Sequence, residues 1–277
     1  MQIPPKPPLP VSVVIPAYNA ASTLPRAIQS IACQTQLPTE IIIVNDVSTD
    51  NTLDVAEQLC ATYPQLSIQV VTLPVNSGPG TARNVGWSLA SQDFLAFLDS
   101  DDTWHPQKLE IQHQWMCKNP NTVICGHLCQ IKLGEATIEL IDSTTPDTQP
   151  VTKLPLRSFL LRNRISTPSV MLTRNILERF VEGKRYSEDY LLWTQIIAAN
   201  GPAGFIELPL AFLHKPIYGA SGLSGNLWEM QKGEIDSLQR LRRASVFQVN
   251  KVLGFSVIVL SWLKFIRRLF VSLTLRP

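Results

Sequence analysis

The chain has 277 residues, 45% of them hydrophobic and 17% charged, with a net charge of +2. That is a globular composition with enough apolar residues for a sizeable core. Five cysteines (Cys33, Cys60, Cys117, Cys125 and Cys129) form no CxxC pair and are odd in number, which excludes a fully paired disulfide framework and reads as reduced thiols in a reducing compartment.

The opening MQIPPKPPLP has no apolar h-region, so it is not expected to be a signal peptide; its prolines read as an extended lead-in. The β-branched run Val11–Ile15 reads as a first strand, and Leu24, Ala27, Ile28 and Ile31 then recur at helical spacing. Glu40–Val44 is a second strand without alternation, as expected when both faces are covered. Helical spacing returns at Leu53, Ala56, Leu59 and Cys60. Ser67–Val71 is a third strand, Thr81–Ala90 a helix, and Phe94–Leu98 a fourth strand. Alternating strands and helices predict an α/β fold, a parallel sheet with helices on both faces. Beyond residue 117 the pattern loosens. Thr122–Lys132 and Ala136–Ile141 read as strands of a hairpin turning at Gly134, and Asp142–Thr152 as a loop. Ser169–Leu172 reads as a short strand, Glu188–Ala199 as a helix ended by Asn200-Gly201, and Phe205–Leu213 as a strand. His105-Pro106 reads as a helix start, and Trp104 and Trp115 as packing residues.

In an open parallel sheet, ligands bind beyond the carboxyl ends of the strands. The first strand ends in Pro16-Ala17-Tyr18-Asn19 and the second in Asn45-Asp46. The third runs into Asn76-Ser77-Gly78-Pro79-Gly80 with Arg83 and Asn84 behind it, and the fourth ends in Asp99-Ser100-Asp101-Asp102. Loops are polar anyway, and that explains Ser48 and Asn76. It explains the acids poorly, because two carboxylates about 5 Å apart at an effective dielectric of about 20 repel by roughly 3 kcal/mol. A positive partner is expected at Asp99, Asp101 and Asp102. The chain has no GxxxxGK[ST], and its glycines at 78, 80 and 86 do not form GxGxxG, so neither a P-loop nor a dinucleotide fingerprint is present. Clustered carboxylates suit Mg²⁺ or Mn²⁺, which commonly bind through one or two carboxylates plus substrate phosphates, so a nucleotide diphosphate is the expected ligand.

Five segments in this order, VSVVIPAYN (11–19), EIIIVNDVSTDNT (40–52), NSGPGTARNVG (76–86), FLAFLDSDD (94–102) and SEDYLLW (187–193), resemble the family 2 glycosyltransferases of GT-A fold. The likeness covers about residues 11 to 225, with a nucleotide half to about 117 and an acceptor half beyond it, leaving 226–277 as a helical, basic and apolar tail. The resemblance implies that Pro16 and Tyr18 line a nucleoside pocket, that Asp46 pairs with the base of a uridine nucleotide, and that Arg83 contacts base or phosphate while Asn84 braces its loop. It puts Asp99 toward the ribose and Asp101 or Asp102 on the metal, with His214 near metal or diphosphate. It makes Asp189 the base of an inverting sugar transfer from a UDP-linked donor to a glycan or lipid-linked acceptor. Many relatives have Asp-Asp where this chain has Asn45-Asp46, and the arginine that often precedes the histidine is missing before His214. Glu188-Asp189 also has a plain structural account: Ser187 can cap the helix, and acids in a first turn suit its dipole. A catalytically silent nucleotide-binding scaffold and a metal-dependent nucleotidyltransferase or phosphohydrolase stay open beside the transferase.

From Ser237 onward the sequence holds eight Lys and Arg and no Asp or Glu, so the preceding body is net acidic. Val252–Leu263 is uncharged but shorter than the ~20 residues a spanning helix needs. An interfacial helix on anionic lipid fits best; a tilted or re-entrant insertion of residues 252–273 and packing on the body or on a second copy in a homodimer stay open beside it. The expected location is cytoplasmic, peripheral at the inner face of the membrane, and nucleic acid is not an expected partner.

Overall fold

A computed structural model describes residues 6–132, 151–214, 226–244 and 256–266. In chain order the elements are β1 (Leu9–Ala17), α1 (Leu24–Ala32), β2 (Pro38–Asn45), α2 (Thr52–Thr62), β3 (Ile68–Thr72), α3 (Pro79–Leu89), β4 (Phe94–Phe97), β5 (Thr103–Trp104) and α4 (Lys108–Lys118). They continue with β6 (Ile124–Ile131), β7 (Val151–Leu154), α5 (Leu156–Leu161), a 3₁₀ turn (Thr167–Ser169), β8 (Met171–Thr173), α6 (Glu188–Asn200), β9 (Ala203–Leu213) and α7 (Leu227–Arg243). Residues 256–266 are also helical and belong to a further helix, α8.

The strands form one sheet in the order β3-β2-β1-β4-β8-β6-β9-β5, with β7 on β9. The first four are parallel, and β8 then joins β4 antiparallel and makes the sheet mixed. β1 and β2 are central and covered on both sides. Val11, Val13 and Ile15 pack with Ile41 and Ile43 under α1, α2 and α4, while Val14, Ile42 and Val44 pack on the other face under α3 and α6. That two-sided burial is why both strands read as unbroken apolar runs. Helix α3 lies close on β1, because a Cβ on Gly86 would come within 2.4 Å of Val14 Cγ1. A third apolar cluster joins Leu160, Tyr190, Leu191, Leu238, Leu241 and Val257, and so packs α7 and α8 on α5 and α6.

Four local expectations need correction. Val151 and Thr152 are not loop but part of β7, where β9 supplies an edge to pair with. Residues 167–169 form a 3₁₀ turn, so the next strand starts only at Met171. Thr103-Trp104 pairs with β9, which delays helix α4 to Lys108. Ser187 does not cap α6 with its side chain: it sits in the left-handed region at φ 54°. The strand and turn expected at Ala136–Ile141 and Gly134 lie outside the described residues.

Candidate active site

The strand ends of the parallel half carry the site, and backbone strain collects there. Among the described residues the non-glycine positive-φ residues are Asn19, Val47 and Ser187, which follow β1, follow β2 and precede α6. Such conformations persist only where the surroundings impose them, and they cluster at functional sites. The Asn19 amide N–H donates to Ser48 Oγ at 3.0 Å and its Oδ1 accepts from Thr49 N at 2.8 Å, which ties the first two loops together. Asn45 is buried; its Oδ1 accepts from Ser48 N at 3.1 Å and its amide donates to Thr72 Oγ1 at 3.4 Å. The residue at this first position of the Asn-Asp pair is thus a loop brace.

Asp46 is buried at the end of β2. One carboxylate oxygen accepts from Ser77 N at 2.7 Å and the other from Gly78 N at 2.8 Å, while Asn76 Nδ2 donates to the Asp46 carbonyl at 2.8 Å. Gly78, at φ 84°, has the freedom this approach requires. Pro16 lies at the end of β1, and Tyr18 stands 52% exposed beside it. Arg185 Nη2 donates to Asn76 Oδ1 at 2.9 Å, tying the 183–187 turn to this loop.

Arg83, on the first turns of α3, is only 4% exposed. Its Nη2 donates to Asp99 Oδ1 at 2.6 Å and its Nη1 to Glu188 Oε1 at 3.1 Å, and its guanidinium lies 5.4 Å from the Phe180 ring centroid. Burial alone would disfavour its charge, but Asp99, Glu188 and Asp189 outweigh that and hold it protonated. Asn84 braces the 180 segment: its amide donates to the Phe180 carbonyl at 2.8 Å and its Oδ1 accepts from Phe180 N at 3.0 Å.

Glu188 and Asp189 open α6. Burial, and then the neighbouring Asp189 charge, push the Glu188 carboxyl up to about 7 against the pull of Arg83. Burial also raises Asp189, opposed by the hydrogen bonds it accepts: Tyr190 N donates to Oδ1 at 2.7 Å and Asn163 Nδ2 to Oδ2 at 2.9 Å. The turn before α6 is held by α7. Lys184 Nζ donates to the Gly233 carbonyl at 2.9 Å and to Asp236 at 2.8 Å, and Ser237 Oγ donates to the Ser187 carbonyl at 3.1 Å.

The acidic turn after β4 is closed by Asp102 N donating to the Asp99 carbonyl at 3.0 Å, and Arg26 Nη2 donates to the Asp101 carbonyl at 2.7 Å. His214, at the end of β9, meets the same turn: its Nε2 is 2.8 Å from Thr103 Oγ1, and its backbone N–H faces Asp102 Oδ1 at 3.4 Å. Burial, then Arg26 and Lys132, lower its pKa. No group of three His, Cys, Asp or Glu among the described residues forms a metal-holding cluster. The donor set fits a hard divalent ion that takes one or two carboxylates here and its remaining ligands from diphosphate and water.

Behind this turn, three side chains donate to three consecutive carbonyls. Trp104 Nε1 reaches Pro168 O at 2.8 Å, Gln112 Nε2 reaches Ser169 O at 2.9 Å, and Lys108 Nζ lies 3.5 Å from Val170 O. The segment they clamp begins near Asn163, so the acid cluster and the Asp189 carboxylate share one scaffold.

The structure therefore brings Asp99, Arg83, Glu188 and Asp189 into one connected group, with Asp101 and Asp102 on the same acidic turn, His214 against it from the end of β9, and Pro16, Tyr18 and Asp46 at the adjoining strand ends. Sequence reasoning missed Asn163, Arg26 and the ion-pairing part of Glu188. Asn163 and Arg26 stand outside every motif and give no local signal; Glu188 was masked by the ordinary preference of acids for a helix start.

A family model for glycosyl transferase family 2 matches residues 12–179. The chain is 29% identical over 253 residues, 90% of its own length and 92% of the relative's, to the Escherichia coli UDP-Glc:alpha-D-GlcNAc-diphosphoundecaprenol beta-1,3-glucosyltransferase WfgD. It is 30% identical over 200 residues to the succinoglycan biosynthesis protein ExoO of Rhizobium meliloti, covering 69% of this chain and 56% of that one. Among solved structures, Staphylococcus aureus TarS 1-349 with UDP-GlcNAc superposes with a TM-score of 0.65 at 20% identity, over 90% of this chain and 70% of that one. The mannosyltransferase PcManGT from Pyrobaculum calidifontis, in complex with GDP-Man and Mn²⁺, superposes with a TM-score of 0.60 at 15% identity, over 95% of this chain and 88% of that one.

Proposed function

The chain belongs to glycosyltransferase family 2, and from that premise we propose that it moves a sugar, with inversion, from a UDP-linked donor to a lipid-linked glycan in cell-surface polysaccharide synthesis. One observation carries the reading: Arg83 joins Asp99, on the donor side, to Glu188, next to the base. Donor acids and base are thereby held as one unit across the two halves of the chain.

Asp46 receives the base edge of the nucleotide, between Tyr18 and the Ser77-Gly78 loop. Asp99 takes the ribose. Asp101 and Asp102, with His214 beside them, would hold Mg²⁺ or Mn²⁺. When bound, such an ion supplies positive charge to the diphosphate oxygens, as Lewis acids do in phosphate chemistry. Asp189 removes the proton from an acceptor hydroxyl, whose oxygen then bonds to the anomeric carbon from the face opposite the diphosphate. The bond from that carbon to the diphosphate oxygen breaks, and its electron pair leaves with UDP. The raised pKa of Asp189 strengthens it as a base at neutral pH. Arg83, with both ends of its guanidinium on carboxylates, serves as the link between the two sides and not as a direct phosphate contact. Support for the donor and acceptor classes comes from WfgD, whose name states a UDP-glucose donor and a diphosphoundecaprenol-linked acceptor.

The test is a thermal-shift panel of UDP- and GDP-sugars with and without Mn²⁺, followed by slow donor hydrolysis. We expect a UDP-sugar to raise Tm more with Mn²⁺ than without, and Asp101→Ala to abolish that difference and the hydrolysis. Metal-dependent binding without turnover on any acceptor would instead favour a silent scaffold.

A further inference from the structure

We propose that the outward stripe of α8 is a docking face for an anionic lipid bilayer. The helix has two sides. Val257, Ser261 and Phe265 are buried, with Ser261 Oγ accepting from Gln231 Nε2 of α7 at 2.9 Å and the Phe265 ring 5.6 Å from that of Trp228. Opposite them, Val259, Leu260, Trp262, Leu263 and Ile266 are all exposed, at spacings of three, four and seven that place them on one face. Trp262 is 41% and Leu263 57% exposed, and Trp228, half exposed, lies tilted beside Trp262 with ring centroids 6.1 Å apart. A row of large apolar groups facing water is costly unless something covers it.

Charge identifies the cover. The stripe has no acid and no hydrogen-bonding group except the Trp262 indole, while the sequence from Ser237 onward carries eight Lys and Arg and no acid. Two copies meeting through this face would bring two such basic tails together. A bilayer of anionic lipid instead accepts the apolar stripe in its interface and the indole at headgroup level, and attracts a sequence segment of this charge. Buried groups along one side and exposed apolar groups along the other suit a helix that lies along the membrane surface with its inner side held on the protein. No helix of the described residues is long and apolar enough to cross a membrane.

The face also has a place relative to the chemistry. Lys264 Nζ donates to the carbonyl of Leu161, itself half exposed, and Asn163, two residues on, holds Asp189. A docked molecule therefore presents the edge beside its base to the bilayer. This last point rests on the proposed lipid-linked acceptor; the docking itself does not.

The test uses the full chain with vesicles of phosphatidylcholine alone or mixed with phosphatidylglycerol, at low and high salt, and the exposed double variant Trp262→Glu/Leu263→Glu. We expect the wild type to sediment with the phosphatidylglycerol vesicles and less so in high salt. The variant should bind at least about tenfold more weakly, with unchanged Tm and unchanged slow donor hydrolysis. Wild type that stays in solution with anionic vesicles, or a variant that binds as well, overturns the proposal. So does a wild-type dimer that the variant splits while neither form binds vesicles, which would assign the face to a second copy. Intact hydrolysis in either case separates this failure from failure of the transferase reading.

Discussion

Arg83 and Glu188, 105 positions apart in the chain, are joined Nη1 to Oε1 at 3.1 Å inside the protein. The pair has a pH signature. With the Glu188 carboxyl pushed up to about 7, the folded state keeps a proton that the unfolded chain has already lost. That contribution to stability is complete below the ordinary glutamate range and disappears as pH rises through about 7. Wild-type Tm should therefore decline between about pH 5 and pH 7, and Glu188→Gln should flatten the decline. Arg83→Met should destabilise near neutral pH, because it leaves the Asp99 charge without its partner and drives Glu188 further toward its protonated form. Thermal melts across the pH range decide both.

Asn163 donates to Asp189 and so favours its charged form. Asn163→Ala should move the basic group's limb in the kcat/KM profile to higher pH and lower kcat near neutrality, with the donor KM little changed. A lower rate with the limb unmoved would reduce Asn163 to an ordinary packing residue.

Much of this was readable in advance, for physical reasons that differ between elements. β1 and β2 are buried on both faces, so their apolar runs could hardly be anything else, and α1 shows its buried side as Leu24, Ala27, Ile28 and Ile31. The acids at 99–102 were legible as a site because unpaired like charges are costly. The positive group expected there turned out to include Arg83 at Asp99, a contact no local spacing specifies. Pairing of β7 and β5 with β9 depends on partners about 50 and 110 residues away, beyond any local pattern. The same holds for Asn163, which acts on a carboxylate 26 positions on.

Lys108 is fully buried, with its ammonium 3.9 Å from the Trp104 ring centroid. Burial lowers its pKa to about 7. Above that value the unfolded chain binds a proton that the folded protein does not, so this group makes stability rise from about pH 7 to about pH 10. Lys108→Met, similar in length and uncharged, should remove that rise and leave the protein at least as stable at neutral pH. Its effect on activity separates two roles. If the ammonium is needed to hold the 168–170 carbonyls behind the acid cluster, the variant loses kcat despite its stability; if packing suffices, kcat is retained.

Asp46 gives the sharpest test of donor recognition, because its geometry already has a complete structural purpose. Its two oxygens accept from Ser77 N and Gly78 N, so Asp46→Asn turns an NH₂ group toward an N–H and should cost about 1–3 kcal/mol. If the carboxylate also pairs with a uracil N–H, the same variant should weaken UDP binding at least about tenfold in calorimetry well below its Tm, and raise donor KM more than it lowers kcat. Loss of stability with UDP affinity intact would make Asp46 a brace for the 76–78 loop alone, and base recognition would then have to lie with Tyr18 and the loop backbone.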